Sequence, residues 1–168
     1  MELLIPGLIL VALMVYVSTR IKKSAAKAYE AEQIDTDDYS ITKPEGLLTP
    51  IDDGSPYAFQ AYSKDFGPPP NERLRQITAE LRILDGVEPA SIVGELKESA
   101  DKIVSENSND GTSILETSEV VEETEVDAFY KIIKKHGRVF SLRIQSVKEP
   151  SEDDRRRIER MLESFRAK

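Results

Sequence analysis

The sequence predicts an α+β protein in which a single N-terminal transmembrane helix precedes a small α/β/α sandwich with an antiparallel sheet. Three observations support this fold class: an apolar run at the start of the chain, several segments in which apolar and polar residues alternate, and an amphipathic segment at the end. The 168 residues are expected to divide into a transmembrane anchor over 1–21, a helical basic stalk over 22–35 and an α+β domain over 36–168.

The expected anchor begins the chain, where Glu2 is the only charged side chain among the first seventeen residues. As a helix from Leu3 to Ile21 it would span roughly 28 Å, about one hydrocarbon core. By the positive-inside bias, the basic residues at its end predict an outside N-terminus, a cytoplasmic domain and a single-pass location in the cell (inner) membrane. A cleaved signal peptide, a buried helix and an extracytoplasmic domain are the alternatives. The basic residues are Arg20, Lys22, Lys23 and Lys27.

Composition excludes several kinds of site. The chain has no cysteine and one histidine, which excludes thiolate chemistry, disulfides and metal sites built on several histidines. The net charge of -8 argues against nonspecific binding of nucleic acid. The charge is unevenly spread, because residues 105–128 hold eight acids and no Lys or Arg, whereas residues 129–168 hold twelve basic residues and six acids.

Three strands are predicted in the first half of the domain. Tyr39 and Ile41 alternate with polar residues as far as Lys43, where the turn residues of 44–46 follow. A short aromatic run over 57–62 predicts the second strand. Residues 77–83 alternate at seven successive positions, which favours a third strand over the helix that the same segment also allows.

An amphipathic helix is predicted to begin at Pro89, with an apolar face that runs from Ile92 to Val104. The turn-forming residues of 107–111 are expected to form the loop after it. Residues 113–123 alternate less cleanly and are predicted to form a further strand.

His136 and Gly137 predict a two-residue hairpin turn. With this loop, the cross-strand partners share one largely apolar face, so register and pattern agree. The competing interpretation is a helix over 125–136 with Gly137 as its C-cap. The predicted pairs are Ile133 with Phe140, Lys131 with Leu142 and Phe129 with Ile144.

The end of the chain predicts a second amphipathic helix. Ser151 and Asp154 resemble a capping box, and three acids in 152–154 suit the positive end of a helix. We expect this helix to pack on the sheet through one apolar face. That face consists of Ile158, Met161, Leu162 and Phe165.

The order of these elements, the Pro-Glu-Gly turn at 44–46 and the Ser-Phe pair at 164–165 together resemble the PsbP-like fold. This is the α/β/α sandwich of the photosystem-associated PsbP subunits, of many bacterial anchored proteins and of a Ran-binding import factor. The resemblance covers about residues 36–167, and it implies a fold that hosts binding modules without a shared chemistry.

The sequence predicts no catalytic residue, no cofactor site and no metal site. Paired acids at 37–38, 52–53 and 153–154 carry the oxygen ligands that hard cations prefer, but turns and a helix start explain these pairs better. The densest basic cluster lies on the closing helix, where the alternatives are a solvated face and a contact with an acidic partner or anionic lipid. This cluster joins the four basic residues of the stalk as predicted contacts: Arg155, Arg156, Arg157 and Arg160.

Two functions remain open at this point. The first is a non-catalytic interaction or assembly module of a membrane-associated complex, with the membrane contacted through 1–21 and an unidentified protein partner. The second is a small-ligand-binding or enzymatic domain. The scarcity of His, Cys and Trp favours the first, whereas a deep apolar pocket with convergent polar groups would favour the second. Its pocket would contain Tyr57, Phe59, Tyr62, Tyr130 and Phe140.

Overall fold

The computed structural model describes residues 4–50, 54–67, 69, 71–109, 111–147 and 150–168, without the side chains of 4–8 and 23–25. The predicted acidic turn pair, Asp52 and Asp53, lies outside the described residues. Three helices occur in the described part: α1 (Leu4–Ala28), α2 (Pro89–Ser99) and α3 (Glu152–Ser164). The strands there are β1 (Glu32–Asp35), β2 (Tyr39–Lys43), β3 (Leu47–Leu48), β4 (Phe59–Ser63), β5 (Ile77–Asp85), β6 (Lys102–Asn109), β7 (Thr112–Val121), β8 (Thr124–Lys135), β9 (Arg138–Val147) and β10 (Arg166–Ala167).

The strands form two antiparallel sheets. The large sheet has seven strands in the order β3-β4-β5-β9-β8-β7-β6, and the small sheet has three in the order β1-β2-β10. The architecture is therefore a mixed α/β fold with two antiparallel sheets. The predicted fold class, a transmembrane helix followed by a sandwich with one antiparallel sheet, is corrected, because the strands form two sheets and no helix in the described residues is long and apolar enough to cross a membrane.

Most of the core lies between the large sheet and α3. Alternating positions of the central strands are fully buried there, including Ile77, Ala79 and Leu81 of β5. Ser151 caps α3 by accepting a hydrogen bond from the Asp154 backbone N–H, as predicted. The apolar face of α3 is buried as expected, since Ile158, Met161 and Phe165 have exposures of 1%, 0% and 0%.

Sequence predictions of the β8–β9 hairpin are confirmed. His136 and Gly137 form the turn with φ of 50° and 77°, and Ile133 pairs with Phe140 as predicted. The other two predicted pairs, Lys131 with Leu142 and Phe129 with Ile144, are also present. Two helical alternatives, over 125–136 and over the segment that forms β5, are wrong, because both segments are strands.

Three predicted element boundaries are corrected. Helix α2 ends at Ser99, so Ile103 and Val104 belong to β6 instead of the helix. The expected loop over 107–111 begins inside β6, because pairing with β7 continues to Asn109. The predicted helical stalk also ends early, since α1 stops at Ala28 and β1 follows in antiparallel register with β2.

The predicted transmembrane anchor over 1–21 is corrected as well. No helix in the described part of the chain is long and apolar enough to cross a membrane. The single-pass inner-membrane location, which depended on this span, is wrong with it.

Candidate functional site

A groove of about 730 Å³ lies on the side of the large sheet that faces α2. Its floor comes from alternate residues of neighbouring strands, because side chains two apart on a strand point to the same face. Arg82 of β5 pairs with Ser141 of β9, and Glu80 pairs with Arg143. The wall is the side of α2 that carries Ile92, Glu95, Leu96 and Ser99. The groove is therefore polar on the sheet and partly apolar on the helix.

A hydrogen-bonded network closes one end of the floor. The Glu119 carboxylate accepts from the Tyr130 hydroxyl at 2.6 Å, from Arg143 Nη2 at 2.8 Å and from the Thr117 hydroxyl at 2.8 Å. Arg143 also donates from Nε to the Tyr130 oxygen at 2.9 Å and from Nη1 to Gln145 Oε1 at 2.7 Å. All three guanidinium nitrogens thus have a partner, which fixes the orientation of the group.

The pKa values in this network move away from neutrality. Burial raises the pKa of Tyr130 to about 12; the Arg143 charge opposes this, and the hydrogen bond and charge of Glu119 reinforce it. Burial would also raise the pKa of Glu119, but hydrogen bonds from Tyr130, Arg143 and Thr117 outweigh it and hold that pKa below its usual value. Burial would lower the pKa of Arg143, yet Tyr130 and Glu119 raise it. The network therefore keeps a neutral phenol, a carboxylate and a guanidinium.

The second arginine of the floor is held by an aromatic ring. The Arg82 guanidinium lies 5.0 Å from the centre of the Tyr57 ring, and its Nη2 donates to the Tyr57 hydroxyl at 3.1 Å. Beside it, Glu80 Oε1 accepts from Gln60 Nε2 at 3.5 Å. Arg82 itself is exposed, so its remaining donors face the open part of the groove.

Helix α2 makes few buried contacts with the sheet beside the groove. It contains no buried residue, and it packs through half-buried Val93 and Leu96 on a small cluster of Leu115, Ala128 and Tyr130. An ion pair between Lys97 Nζ and Glu106 Oε2, at 2.7 Å, joins α2 to β6. A helix with so few buried contacts belongs to the less stable part of a domain.

The predicted arginine cluster is spread over the surface of α3. Arg156 pairs with Glu152 at 3.1 Å and with Asp153 at 3.4 Å, and Arg157 pairs with Asp154 at 3.0 Å. Arg155 and Arg160 are exposed. On α1, the side chains of Arg20, Lys22 and Lys27 are exposed, whereas that of Lys23 is not described. A role of these basic residues in partner contact stays a prediction.

The five predicted pocket aromatics do not converge. Tyr57 and Tyr130 line the groove, but Phe59 and Phe140 are buried in the main core on the other face of the sheet. The half-buried Tyr62 stacks under Arg75, with 4.9 Å between the guanidinium carbon and the ring centre. Sequence reasoning missed Glu80, Arg82, Glu119 and Arg143. The charged residues at alternate positions of β5 and β9 were the signal that could have revealed a polar face.

Members of two of the predicted acidic pairs take part in ion pairs within the fold. Asp38 Oδ1 lies 2.6 Å from Arg138 Nη2, and Asp153 and Asp154 bond to the arginines of α3. In the described part of the chain, no group of three or more His, Asp or Glu side chains could hold a metal ion.

No family model and no curated protein matches this sequence. Solved structures with a similar fold include the Ran-binding protein Mog1p of Saccharomyces cerevisiae, with 11% identity, a TM-score of 0.55 and coverage of 82% of this chain and 95% of that one. Cyanobacterial PsbP (CyanoP) of Synechocystis has 10% identity and a TM-score of 0.54 over 83% of this chain and 94% of that one.

LpqN, a protein involved in cell envelope biogenesis of Mycobacterium tuberculosis, is the third such structure. It has 16% identity, a TM-score of 0.52 and coverage of 82% of this chain and 90% of LpqN. At these identities the likeness shows the fold alone, and it confirms the predicted PsbP-like fold.

Proposed function

We propose that this chain is a non-catalytic binding module, and that the groove beside α2 receives a segment of a protein partner. The observation that carries the proposal is the network of Glu119, Tyr130 and Arg143. General acid–base catalysis needs a group whose pKa lies near the working pH, whereas these groups are shifted away from neutrality. Fixed, charged donors instead suit recognition, because little ordering is needed when a ligand binds.

The lining of the groove indicates the chemistry of the partner segment. Arg143 is held in place with spare N–H groups, and Arg82 has donors that face the groove. Ile92 and Leu96 supply apolar surface on the opposite wall. Glu80 and Glu95 line the groove as well, so a segment that carries apolar side chains together with acidic and basic groups matches its surfaces.

Fold similarity supports a protein as the partner. The similar yeast structure is named a Ran-binding protein, so this fold does present protein-binding surfaces. The net charge of -8 also disfavours nucleic acid as the partner, because phosphate would be repelled.

The test is site-specific crosslinking followed by a binding measurement with a purified protein. A photoreactive residue at Ser141 is expected to capture one protein from the native extract, whereas the same residue at the exposed Glu159 on α3 is not. The captured protein is then purified, and its affinity for the full chain is measured by isothermal titration calorimetry. Arg82→Ala should weaken that affinity by about tenfold, or ~1.4 kcal/mol. Unchanged affinity, or capture from Glu159 instead of Ser141, would contradict the proposal.

Binding of a small ligand is the second candidate, because the volume of the groove is about 730 Å³ and ligand pockets commonly occupy ~300–1,000 Å³. A thermal-shift titration with small mono- and dicarboxylates separates the two. Stabilisation by such a compound, lost in Arg82→Ala and without protein capture at Ser141, would favour the small ligand.

A further inference from the structure

Strand β6 is the open edge of the large sheet. It pairs with β7 on one side, and in the described part of the chain no strand lies on its other side. All eight residues of β6 are exposed. The opposite edge is formed by β3, which has two residues. Successive residues of a strand point their backbone N–H and C=O groups to opposite sides. Every second residue of β6 therefore presents unpaired N–H and C=O groups on the outer side of the strand.

The usual protection of an edge strand is incomplete in β6. Native edges are commonly blocked by proline, by charged residues or by a bulge. β6 has a register shift between Ile103 and Ser105 and a lysine at 102, both at its first half. Residues 105–109 pair regularly with β7 and contain no proline. Their one charged residue, Glu106, is bound by Lys97 of α2 at 2.7 Å, so this half can accept another strand.

The surface beside this edge is acidic. Glu116 of β7 lies next to Ser105, whose hydroxyl donates to its Oε2 at 3.4 Å. It projects to the face of the sheet on which α3 lies, yet α3 packs farther along that sheet, on β9, and on β2 of the small sheet. Ile114 and Val120, on the same face of β7, are therefore exposed at 39% and 58%. A partner at this edge meets acidic and apolar side chains together.

We infer that β6 is a strand-addition site for an extended, basic segment of a protein partner. Main-chain hydrogen bonds to residues 105–109 would supply affinity, and Lys or Arg side chains at alternate positions would face Glu116. A second copy of this chain fits less well, because edge-to-edge pairing of two β6 strands would bring the two acidic surfaces together on a chain of net charge -8. This surface is separate from the groove and does not depend on it.

The probe is a synthetic peptide of about nine residues, a typical strand length, that alternates Lys with Thr and Val. A matched peptide has Glu in place of Lys. Amide hydrogen exchange of the full chain, read residue by residue, is measured with each peptide. The lysine peptide should slow alternate amides of β6, and the glutamate peptide should not. Unchanged exchange of the β6 amides with the lysine peptide would overturn the inference.

Charge reversal supplies the second measurement. Glu116→Lys should weaken binding of the lysine peptide by roughly fivefold, which corresponds to ~1 kcal/mol. Glu159→Lys, on the exposed face of α3, makes the same charge change and should leave binding of the lysine peptide unchanged. Equal effects of the two variants would show attraction to net charge alone and overturn the inference. Sedimentation that reveals dimers with protected β6 amides would assign the edge to a second copy and overturn it too. Arg82→Ala should not affect this binding, so the outcome is independent of the groove.

Discussion

The two faces of the large sheet differ in how they are covered. On one face, α3 buries Ile158 and Met161, and Phe165 directly after it is fully buried. On the other face, α2 has no buried residue and packs on a cluster of three. The first face holds the domain together. The second carries a groove and a polar network, so the residues that stabilise the fold and the residues of the proposed binding site lie on opposite faces of one sheet.

Buried polar groups on the two faces also serve different purposes. On the α3 face, Lys131 Nζ donates to the backbone oxygens of Leu162 and Phe165 at 2.6 and 3.1 Å. It thereby satisfies carbonyl groups at the end of α3 that have no partner within the helix. On the α2 face, the guanidinium of Arg143 is likewise bound, but it lines an open groove. Lys131 therefore binds the carbonyl groups at the end of α3, whereas Arg143 lines the groove that we propose as the binding site.

The largest expected effect is the difference in unfolding free energy between side-chain truncations on the two faces of the large sheet. Phe165→Ala should reduce the free energy of unfolding by ~3–5 kcal/mol, because it removes a fully buried ring and leaves a cavity. Leu96→Ala on half-buried α2 should cost about 1 kcal/mol, since less apolar area is lost. Urea titration of both variants checks this. Equal losses would show that the two faces contribute alike to the stability of the fold, contrary to the difference in burial.

A smaller effect should appear in the pH dependence of stability. The pKa of Tyr130 is raised from 10.0 to about 12 in the folded chain, so folding favours the protonated phenol. Its contribution is complete below about pH 10 and is lost as the pH rises toward about 12, by roughly 2–3 kcal/mol. Denaturant titrations across this range should show the loss in the unaltered chain and a reduced loss in Tyr130→Phe. An identical slope in both would assign the alkaline loss to other groups.

The same network should respond to acid in the opposite sense. Because the pKa of Glu119 lies below its ordinary value of 4.5 in the folded chain, its contribution is present above about pH 4.5 and is lost as the pH falls through the folded pKa. Glu119→Gln should show a smaller loss of stability on acidification. An equal loss would mean that the hydrogen bonds of Glu119 do not lower its pKa.

The smallest effect is expected at the exposed ion pairs of α3. Arg156, at 67% exposure, pairs with Glu152 and Asp153, and solvent screens such pairs. Arg156→Ala should therefore change the free energy of unfolding by less than ~1 kcal/mol. A loss comparable to that of Phe165→Ala would show that the surface of α3 matters for folding as much as its buried face.

Local patterns were sufficient for part of this fold. The turn at Gly137 fixed the register of β8 and β9, and the spacing of Ile158, Met161 and Phe165 identified the buried face of α3. Strand β6 was missed because Ile103 and Val104 continue the helical spacing of α2, while pairing with β7 decides their conformation. The apolar start of the chain predicted a membrane span that the described helix does not contain.

The groove could not be predicted by the same means. Tyr57, Arg82, Leu96 and Arg143 line it, yet they come from separate elements, and the strand order β5-β9-β8-β7 brings them together. The bond between Glu119 and Arg143 likewise joins strands that are not neighbours in the sheet. Only the three-dimensional pairing reveals the ion pair between Arg143 of the floor and Glu119 beside it.

A bulky side chain in the groove beside α2 tests most directly whether a protein partner binds there, as we propose. Ser141→Trp places a large side chain on the half-buried floor without removing a core residue, and Glu159→Trp makes a matched change on exposed α3. The affinity of the purified partner for both folded variants is measured by isothermal titration calorimetry. If the partner binds in the groove, we expect at least about tenfold weaker binding, or ~1.4 kcal/mol, for Ser141→Trp and unchanged binding for Glu159→Trp. Unchanged binding of Ser141→Trp, or a larger loss in Glu159→Trp, would contradict it.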